Sequence, residues 1–493
     1  MAATTTKPRK TSSTKPRNRT STLSIIDAIR DPNLFLSFFD GDLSTWRKWL
    51  VILRAIYGLP IRSRFGGQVI RDVTGRDPAK LNPDGYQTSL LLCGRRSGKS
   101  RIAAVISAYS AALAGLESKL APGEQGLIAV VSPTRVQGRI VRNYIRALYN
   151  EPMLRQEIVQ ERTNDAFQLR SGNRLELLAS DYRSVRGFTL LAVVVDEICF
   201  MGLDSSSRVR TDQQLVESLS PALATTNGKM ICISSPYGKT GWAYRTWQKH
   251  FGNDNSQDVL VINAASRTLN PTLPQRIINR AMQEDLAAAK SEYLAEWRDD
   301  VSTFVPLELV ERLVVKHRKE NMPRAGNKYF AFVDLSGGRG DASALAIAHK
   351  QGSKVVLDAL DYHPSPHNPF EVVAAMAERL QEFGVRRVVG DAYSAEFAAS
   401  AFSNKGVLYT KCEKTKSALY ADLLPVLCAG DIELLDHDRL VKQLSTLERR
   451  TRAGGKDVID HPPKAHDDLS NAVAGVAHLA SAKRLIAGAF RFN

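Results

Sequence analysis

One segment constrains the fold more than any other, because an apolar run passes through a short polar loop into a helix-compatible run. The run TSLLL leads into CGRRSGKS, residues 93–100, and RIAAVISAYSAAL follows. Helical stretches separate it from further apolar runs at 127–131, 174–178, 191–195 and 230–234. Continuous apolar strands that alternate with helices indicate a parallel sheet covered on both faces. The sequence therefore predicts an α/β fold for this part of the chain.

The length of 493 residues exceeds what one hydrophobic core usually supports. Residues 1–22 are rich in Thr, Ser, Lys, Arg and Pro and contain no acidic residue, which predicts a disordered basic tail. A second set of strands starts with YFAFVDL at 329–335, after a basic stretch that contains turn residues. We predict a first domain over 23–310, a linker over 311–327 and a second domain over 328–493.

The formal net charge of +16 favours polyanionic partners such as nucleic acid. The apolar stretches end well before the roughly 20 residues needed to cross a bilayer, so we expect no membrane partner. No secretory signal is recognisable either, and we expect a protein that is not secreted. The nine histidines form no cluster with zinc-ligand spacing, which disfavours zinc.

The order of strand, loop and helix around CGRRSGKS is the one that a phosphate-binding loop requires. Gly98 would let backbone N–H groups turn toward a phosphate, Lys99 would neutralise its charge, and Ser100 would ligate magnesium. The pattern departs from the usual one at the first glycine, since Cys93 stands there and the glycine is Gly94. The predicted ATP-binding residues are Gly94, Arg95, Arg96, Ser97, Gly98, Lys99, Ser100 and Asp196.

Two acidic residues follow the apolar run LLAVVV, and they would complete this site. Asp196 at the end of the strand can hold magnesium, and Glu197 can polarise an attacking water as the catalytic residue. The alternative is that the pair only ends a strand. Ser234 and Ser235 end a later strand, where hydroxyls could couple hydrolysis to movement. Any of five arginines could stabilise transition-state charge: Arg95, Arg96, Arg135, Arg139 and Arg186.

In the second half of the chain, separate elements deliver acidic groups that could converge. Asp334 lies in the first strand, Asp391 follows a later strand, and Asp467 and Asp468 open the helical segment DDLSNAVAGVAHLA. An RNase H-like fold gathers such carboxylates around two divalent ions, Mg²⁺ or Mn²⁺ by their preference for oxygen ligands. Asp341 is a further candidate ligand. Each aspartate could instead be a turn or capping residue. The segment 448–462 predicts a basic hairpin.

Five motifs in order resemble those of the large terminase subunit of tailed bacteriophages. They are GRRSGKS, SDYRSVRGFTLLAVVVDE, ISSPYGKTGW, VDLSGGRGDASAL and HDDLSNAVA, and they extend over most of the chain. The resemblance implies a P-loop (ASCE-type) ATPase domain followed by an RNase H-like endonuclease domain. By the same resemblance, Asp334, Asp391 and one of Asp467 or Asp468 look like the nuclease ligands, with a slight preference for Asp468.

The resemblance also implies a viral DNA-packaging motor that uses ATP and Mg²⁺ to move double-stranded DNA and cuts it with a second metal site. The implied partners are double-stranded DNA, a small terminase subunit, the portal protein of a procapsid and further copies of the chain in a ring. The implied location is the host cell cytoplasm, with transient docking at the portal.

Two other functions share these residues. A helicase-like repair ATPase with a fused nuclease would use the same sites but separate strands. A DNA-binding scaffold with degenerate catalytic sites would explain the displaced glycine of the phosphate loop.

Overall fold

The computed structural model describes residues 23–162, 165–179, 188–201, 211–391, 395–451, 457–463 and 465–481. The predicted basic tail at 1–22 lies outside these residues, as do Arg186 and the SVRG segment. Among the described residues, no helix is both long enough and apolar enough to span a membrane.

The first sheet has eight strands in the order β3-β4-β5-β2-β6-β7-β1-β8. The strands from β5 to β8 in this order are all parallel, as the apolar runs predict, and β3 and β4 extend one edge as antiparallel strands. The sequence reading missed β3, β4 and β8. Their bounds are β1 (Thr88–Cys93), β2 (Gly126–Ser132), β3 (Ile158–Arg162), β4 (Ala166–Leu169), β5 (Arg174–Ala179), β6 (Thr189–Asp196), β7 (Lys229–Ser234) and β8 (Val259–Ala264).

Helices cover both faces of this sheet, and two separate clusters of buried apolar side chains lie against its faces. The α-helices of this part of the chain are α1 (Ile25–Arg30), α2 (Arg47–Ile56), α3 (Arg64–Thr74), α4 (Lys99–Ala112), α5 (Arg135–Leu148), α6 (Asp212–Ala224), α7 (Gly241–His250), α8 (Ser266–Leu269), α9 (Gln275–Glu284), α10 (Leu286–Ala289) and α11 (Leu307–Leu313).

The second half of the chain forms a seven-stranded sheet in the order β10-β16-β13-β12-β11-β14-β15, and a small sheet in the order β18-β17-β9. β11, β12 and β13 are antiparallel, and β14 and β15 run parallel to β11, which is the predicted RNase H-like arrangement. The strands are β9 (Val301–Thr303), β10 (Val314–Val315), β11 (Tyr329–Asp334), β12 (Ser343–Gln351), β13 (Lys354–His363), β14 (Arg387–Gly390), β15 (Leu408–Lys411), β16 (Ile432–Leu435), β17 (Glu448–Thr451) and β18 (Asp457–Asp460).

The remaining helices are α12 (Pro369–Glu382), α13 (Ala395–Ser403), α14 (Lys416–Ala429), α15 (Asp438–Thr446) and α16 (Asp468–Ser481). α16 is the most buried of them, with Leu469, Ala472, Val473 and Val476 in the core against β11 and β12. β17 and β18 are the strands of the predicted basic hairpin, and its glycine turn lies outside the described residues.

The chain enters the second core before residue 310, where the predicted first domain ends. β9 pairs with β17, and Phe304, Val305 and Val310 are buried in the second core. The predicted linker 311–327 also contains the end of α11 and all of β10. The turn residues after β10 therefore follow residues that already pack in the second core.

Candidate active sites

The phosphate loop lies between the end of β1 and the start of α4, as its sequence predicts. Gly98 has a φ of 93°, a left-handed conformation that glycine adopts without steric cost. A Cβ atom on Gly94 would lie 2.3 Å from Ser266 Oγ and 2.8 Å from the Tyr293 carbonyl oxygen. The displaced glycine therefore has a structural reason, because no side chain fits at position 94.

Four predicted residues meet beside this loop. The Nζ atom of Lys99 lies 2.9 Å from Glu197 Oε1 and donates a 2.9 Å hydrogen bond to Ser235 Oγ. The Ser234 hydroxyl donates to Glu197 Oε2 at 3.3 Å. The ends of β6 and β7 bring these groups together, because parallel strands end at one edge of the sheet.

Asp196 is 4 % exposed, and its Oδ1 atom meets no hydrogen-bond donor among the described residues. Burial raises the pKa of Asp196, the charge of Glu197 raises it further, and Lys99 opposes both. A buried carboxylate oxygen with no partner suits a hard divalent cation. Asp196 together with Ser100 at the start of α4 therefore fits a magnesium site.

Glu197 has a left-handed backbone with φ 54°. Such a conformation costs a non-glycine residue roughly 1 kcal/mol or more, and strain of this kind is often found at functional sites. The ion pair with Lys99 and the hydrogen bond from Ser234 hold the side chain of this residue toward the loop.

Two tryptophans at the start of α2 position the phosphate loop. Trp49 is fully buried, and its Nε1 atom donates a 2.8 Å hydrogen bond to the Ser97 carbonyl. The Trp46 ring lies against Gly98, where a Cβ atom would be only 2.7 Å from the ring. Periodicity identifies a buried face but not the loop that a side chain meets, so the sequence carried no signal for this contact.

The candidate arginines differ in their surroundings. Arg95 pairs with Glu292 at 2.9 Å, which ties the loop to the segment before β9. Arg96 is exposed at the loop, and Asn270 donates to its carbonyl at 2.7 Å. Arg135 and Arg139 are exposed on the outer face of α5, and Arg186 lies outside the described residues.

The predicted acidic residues of the second half converge at one edge of the second sheet. Val333 on β11 pairs with Gly390 on β14, so Asp334 and Asp391 are the next neighbours across these parallel strands. Asn471 on α16 donates a 2.8 Å hydrogen bond to Asp334 Oδ2. A Cβ atom on Gly475 would lie 2.2 Å from the Phe332 ring. This close packing of α16 on β11 brings the start of the helix to the two strand ends.

The electrostatics of these carboxylates fit a metal site. Burial raises the pKa of Asp334 well above its usual range, and the charges of Asp391, Asp468 and Asp467 raise it further, while the Asn471 hydrogen bond opposes them. Burial and then Asp467 raise the pKa of Asp468 to about 6. The Oδ2 atom of Asp468 is buried and meets no donor among the described residues. Carboxylates this close are costly unless cations offset their repulsion.

Asp467 and Asp468, which the sequence could not separate, have different environments. Asp467 Oδ2 accepts a 2.7 Å hydrogen bond from Tyr420 and lies 3.2 Å from Lys416 Nζ. Lys416 also pairs with Asp460 at 2.6 Å. Asp467 is thus already compensated by a protein cation, whereas Asp468 has a free buried oxygen near Asp334. Asp468 is the better candidate for the third ligand.

Asp341 lies at the rim, with 69 % of its side chain exposed and the Nδ1 atom of His466 3.3 Å away. Its charge contributes to the raised pKa of Asp468, so it belongs to the surroundings of the site. Sequence reasoning missed Asn471, Lys416, Tyr420, Asp460 and His461. Ligand atoms of Asp460, His461 and Asp467 lie within 4.8 Å of one another. Only the position of Asn471, one helical turn after the acidic pair, gave a signal that could have been used.

The chain is similar in structure to the large terminase of bacteriophage HK97, with a TM-score of 0.37 and 16 % identity over 88 % of this chain and 100 % of that one. It is similar to the large terminase of a thermophilic bacteriophage, with a TM-score of 0.36 and 13 % identity over 80 % and 94 % of the two chains. The large terminase nuclease of thermophilic phage G20c gives a TM-score of 0.32 and 17 % identity over 35 % and 96 %.

No protein-family model and no curated protein matches the chain.

Proposed function

We propose that the chain is the motor and nuclease subunit of a viral DNA-packaging machine. It would hydrolyse ATP to move double-stranded DNA into a procapsid and would cleave that DNA by two-metal chemistry. The observation that carries this proposal is the presence of two sites in one chain. Lys99, Glu197 and Ser235 meet at a phosphate loop, and Asp334 and Asp468 meet at the edge of a second sheet.

In the first site, the backbone of residues 94–98 and Lys99 would bind the phosphates of ATP, and Ser100 and Asp196 would hold Mg²⁺. The magnesium, when bound, neutralises phosphate charge. Lys99 pairs with Glu197 at 2.9 Å, and a triphosphate is a competing anion for this ammonium group. Phosphate binding would therefore release Glu197 to orient the attacking water. Ser235 accepts a hydrogen bond from Lys99, so this contact would also change when Lys99 exchanges Glu197 for a phosphate group.

In the second site, Asp334, Asp391 and Asp468 would hold two Mg²⁺ or Mn²⁺ ions. Such ions activate the attacking water and stabilise the leaving oxygen. The protein's own part is positioning: the Asn471 amide orients Asp334, and Tyr420 and Lys416 fix Asp467 beside the ligands. Asp341 at the rim would be an auxiliary group.

The partners that belong to this proposal are double-stranded DNA, a small terminase subunit, the portal protein and further copies of the chain in a ring. The net charge of +16 supports a polyanionic substrate. The chain would act in the host cell cytoplasm, docked at the procapsid portal during packaging.

The experiment compares wild type with Lys99→Ala and Asp334→Asn, measuring DNA-stimulated ATP hydrolysis and plasmid cleavage in manganese. We expect Lys99→Ala to lose ATP turnover and keep cleavage, and Asp334→Asn to do the opposite. Lys249→Ala, an exposed lysine at the end of α7, is the matched control for lost positive charge. Full activity in either site variant would overturn the corresponding assignment, and unwinding of a forked duplex would favour the helicase-like alternative.

A further inference from the structure

Tyr362 lies two strands away from Asp334 in the second sheet. Asp334 pairs with Ala344, and Ala344 pairs with Tyr362 on β13. Directly paired residues of antiparallel strands point to the same face of a sheet. Two strand spacings separate Tyr362 from Asp334, a distance of about 10 Å. Burial raises the pKa of Tyr362, Arg439 lowers it, and the charge of Asp468 raises it. Tyr362 is thus a neighbour of the acidic cluster.

Tyr362 contacts the side chain of Arg439 in two ways. The guanidinium carbon of Arg439, in the first turn of α15, lies 4.2 Å from the centre of the Tyr362 ring. Its Nη1 atom donates a 2.7 Å hydrogen bond to Tyr362 Oη. Stacking and hydrogen bonding together fix the plane of a guanidinium group. Arg439 is only half-buried, so solvent and ligands can reach its other N–H groups.

The backbone around Arg439 is fixed relative to the metal site. The His437 ring caps the start of α15 by accepting a 3.3 Å hydrogen bond from the Leu440 amide. Further along α15, Gln443 Oε1 accepts a 3.1 Å hydrogen bond from the Ser470 amide at the start of α16. α16 is also the helix that carries Asp468, so the arginine and the acidic cluster are held by one packed pair of helices.

The charge of Arg439 has no acidic partner among the residues that the structure describes, although an acidic cluster lies nearby. Lys416 behaves differently, since it pairs with both Asp460 and Asp467. A guanidinium group has five N–H donors, and their geometry matches the oxygens of a phosphate group. A positioned cation beside a metal site, stacked on an aromatic ring rather than ion-paired, is suited to an anion that arrives from outside.

We propose that Arg439, held by Tyr362, binds a backbone phosphate of the DNA strand that the nuclease site cuts. This inference rests on the proposed nuclease function and adds a substrate-binding residue to it. A distance of about 10 Å corresponds to a phosphate within a few nucleotides of the metal site, because each nucleotide advances the helix by about 3.4 Å along its axis. Arg439 positions DNA and does not contact the reacting atoms.

The test measures binding of a short fluorescent duplex by the full chain in calcium, which supports binding without cutting, over a range of salt concentrations. We expect Arg439→Ala to weaken binding by roughly tenfold and to lower the salt slope by about one unit, because one phosphate contact is lost. The affinity and the salt slope of Arg439→Lys should lie between those of wild type and those of Arg439→Ala. Arg386→Ala is the control: this exposed arginine precedes β14 and so lies at the opposite end of that strand from Asp391, and its loss should change neither quantity.

Two further measurements separate binding from chemistry and from misfolding. In plasmid cleavage, Arg439→Ala should raise KM and leave kcat close to wild type, and manganese binding measured by calorimetry should be unchanged. Tyr362→Phe keeps the ring but removes the hydroxyl that accepts from Arg439, so it should show a smaller loss of affinity. If Arg439→Ala fails to fold, Arg439→Lys and Tyr362→Phe decide the question by the same binding assay.

The outcomes distinguish this inference from the proposed function. If wild type binds and cuts DNA, and the Arg439 variants show the affinity and salt slope of Arg386→Ala, the phosphate site is wrong and the nuclease stands. If wild type neither cuts DNA in manganese nor binds it, the proposed function fails and the inference fails with it.

Discussion

The Tyr237 hydroxyl donates a 3.0 Å hydrogen bond to Glu448 Oε2, which joins the loop after β7 to β17 of the small sheet. Both side chains are buried, at 8 % and 5 % exposure. Arg450 donates to the same carboxylate oxygen at 2.8 Å and to the His461 carbonyl at 3.0 Å. Only one residue separates Tyr237 from Ser235, the contact of Lys99. The phosphate-loop site and the segment that leads to Asp467 are therefore connected through a few buried polar contacts.

Replacing Tyr237 by phenylalanine should weaken this connection. Glu448 would keep Arg450 but lose one buried donor, so we expect the free energy of unfolding to fall by about 1–3 kcal/mol. A double-mutant cycle with Glu448→Gln in chemical denaturation measures the coupling between the two side chains. Additive losses in the double variant would contradict an energetic link across this contact.

Trp49→Phe removes the donor to the Ser97 carbonyl and leaves that oxygen buried without it. We expect a stability loss of about 1–3 kcal/mol and weaker ADP binding, because the phosphate loop loses a fixed contact. Trp297→Phe is the matched control, since Trp297 Nε1 is buried without a hydrogen-bond partner among the described residues. Equal ADP affinities in the two variants, measured by calorimetry, would show that Trp49 serves only the core.

Glu197→Gln keeps the size of the side chain and removes its charge. We expect ATP turnover to fall by about 10²–10⁴-fold while nucleotide binding persists, because a general base is lost and the phosphate contacts of Lys99 remain. Glu292→Gln removes an acidic residue that pairs with Arg95 instead, and it should keep most of the turnover. Steady-state hydrolysis and nucleotide titration of both variants check this, and comparable rates would argue against Glu197 as the catalytic residue.

The metal-free protein should lose stability as pH rises. Asp468 has a folded-state pKa of about 6 against an ordinary value of 3.8, so the folded state holds its proton more tightly than the unfolded state. The stabilisation is therefore fully present below pH 3.8 and is lost as pH rises through about 6. A shift of this size corresponds to about 3 kcal/mol at most.

Asp468→Asn should flatten the pH dependence of the free energy of unfolding. At neutral pH, magnesium should stabilise the wild-type protein because it binds the ionised carboxylates. Thermal unfolding with and without magnesium measures both effects. The same pH profile in wild type and Asp468→Asn would mean that other groups control it.

Gly475→Ala places a methyl group where the Phe332 ring stands, and we expect α16 to move away from β11. Overpacking of this kind costs about 1–3 kcal/mol, and plasmid cleavage should fall while ATP hydrolysis continues. Phe332→Leu in the same chain reduces the collision and should recover part of the cleavage. Normal plasmid cleavage by the Gly475→Ala variant would show that cleavage does not depend on the close packing of α16 on β11.

The parallel strands and the acidic residues at their ends could be predicted because both are local patterns. The apolar runs define β1, β2, β5, β6 and β7, and residues at the ends of such strands lie at one edge. The contacts that complete the sites join residues far apart in sequence. The ion pair with Lys416 distinguishes Asp467 from Asp468. Lys416 begins α14, and no sequence pattern near the HDD segment indicates that this helix lies beside it. The early entry into the second core also escaped prediction, because β9 is a strand only through its pairing with β17.

The late position of α16 has a consequence for synthesis. Lys99, Glu197, Ser234 and Ser235, the cluster at the phosphate loop, all precede residue 240, whereas the acidic cluster needs Asp468 and Asn471 in addition to Asp334 and Asp391. A nascent chain that has emerged from the ribosome only as far as α15 contains every group of the phosphate-loop cluster but lacks the helix that completes the acidic cluster. The order of translation thus makes the acidic cluster the last of the two to be assembled.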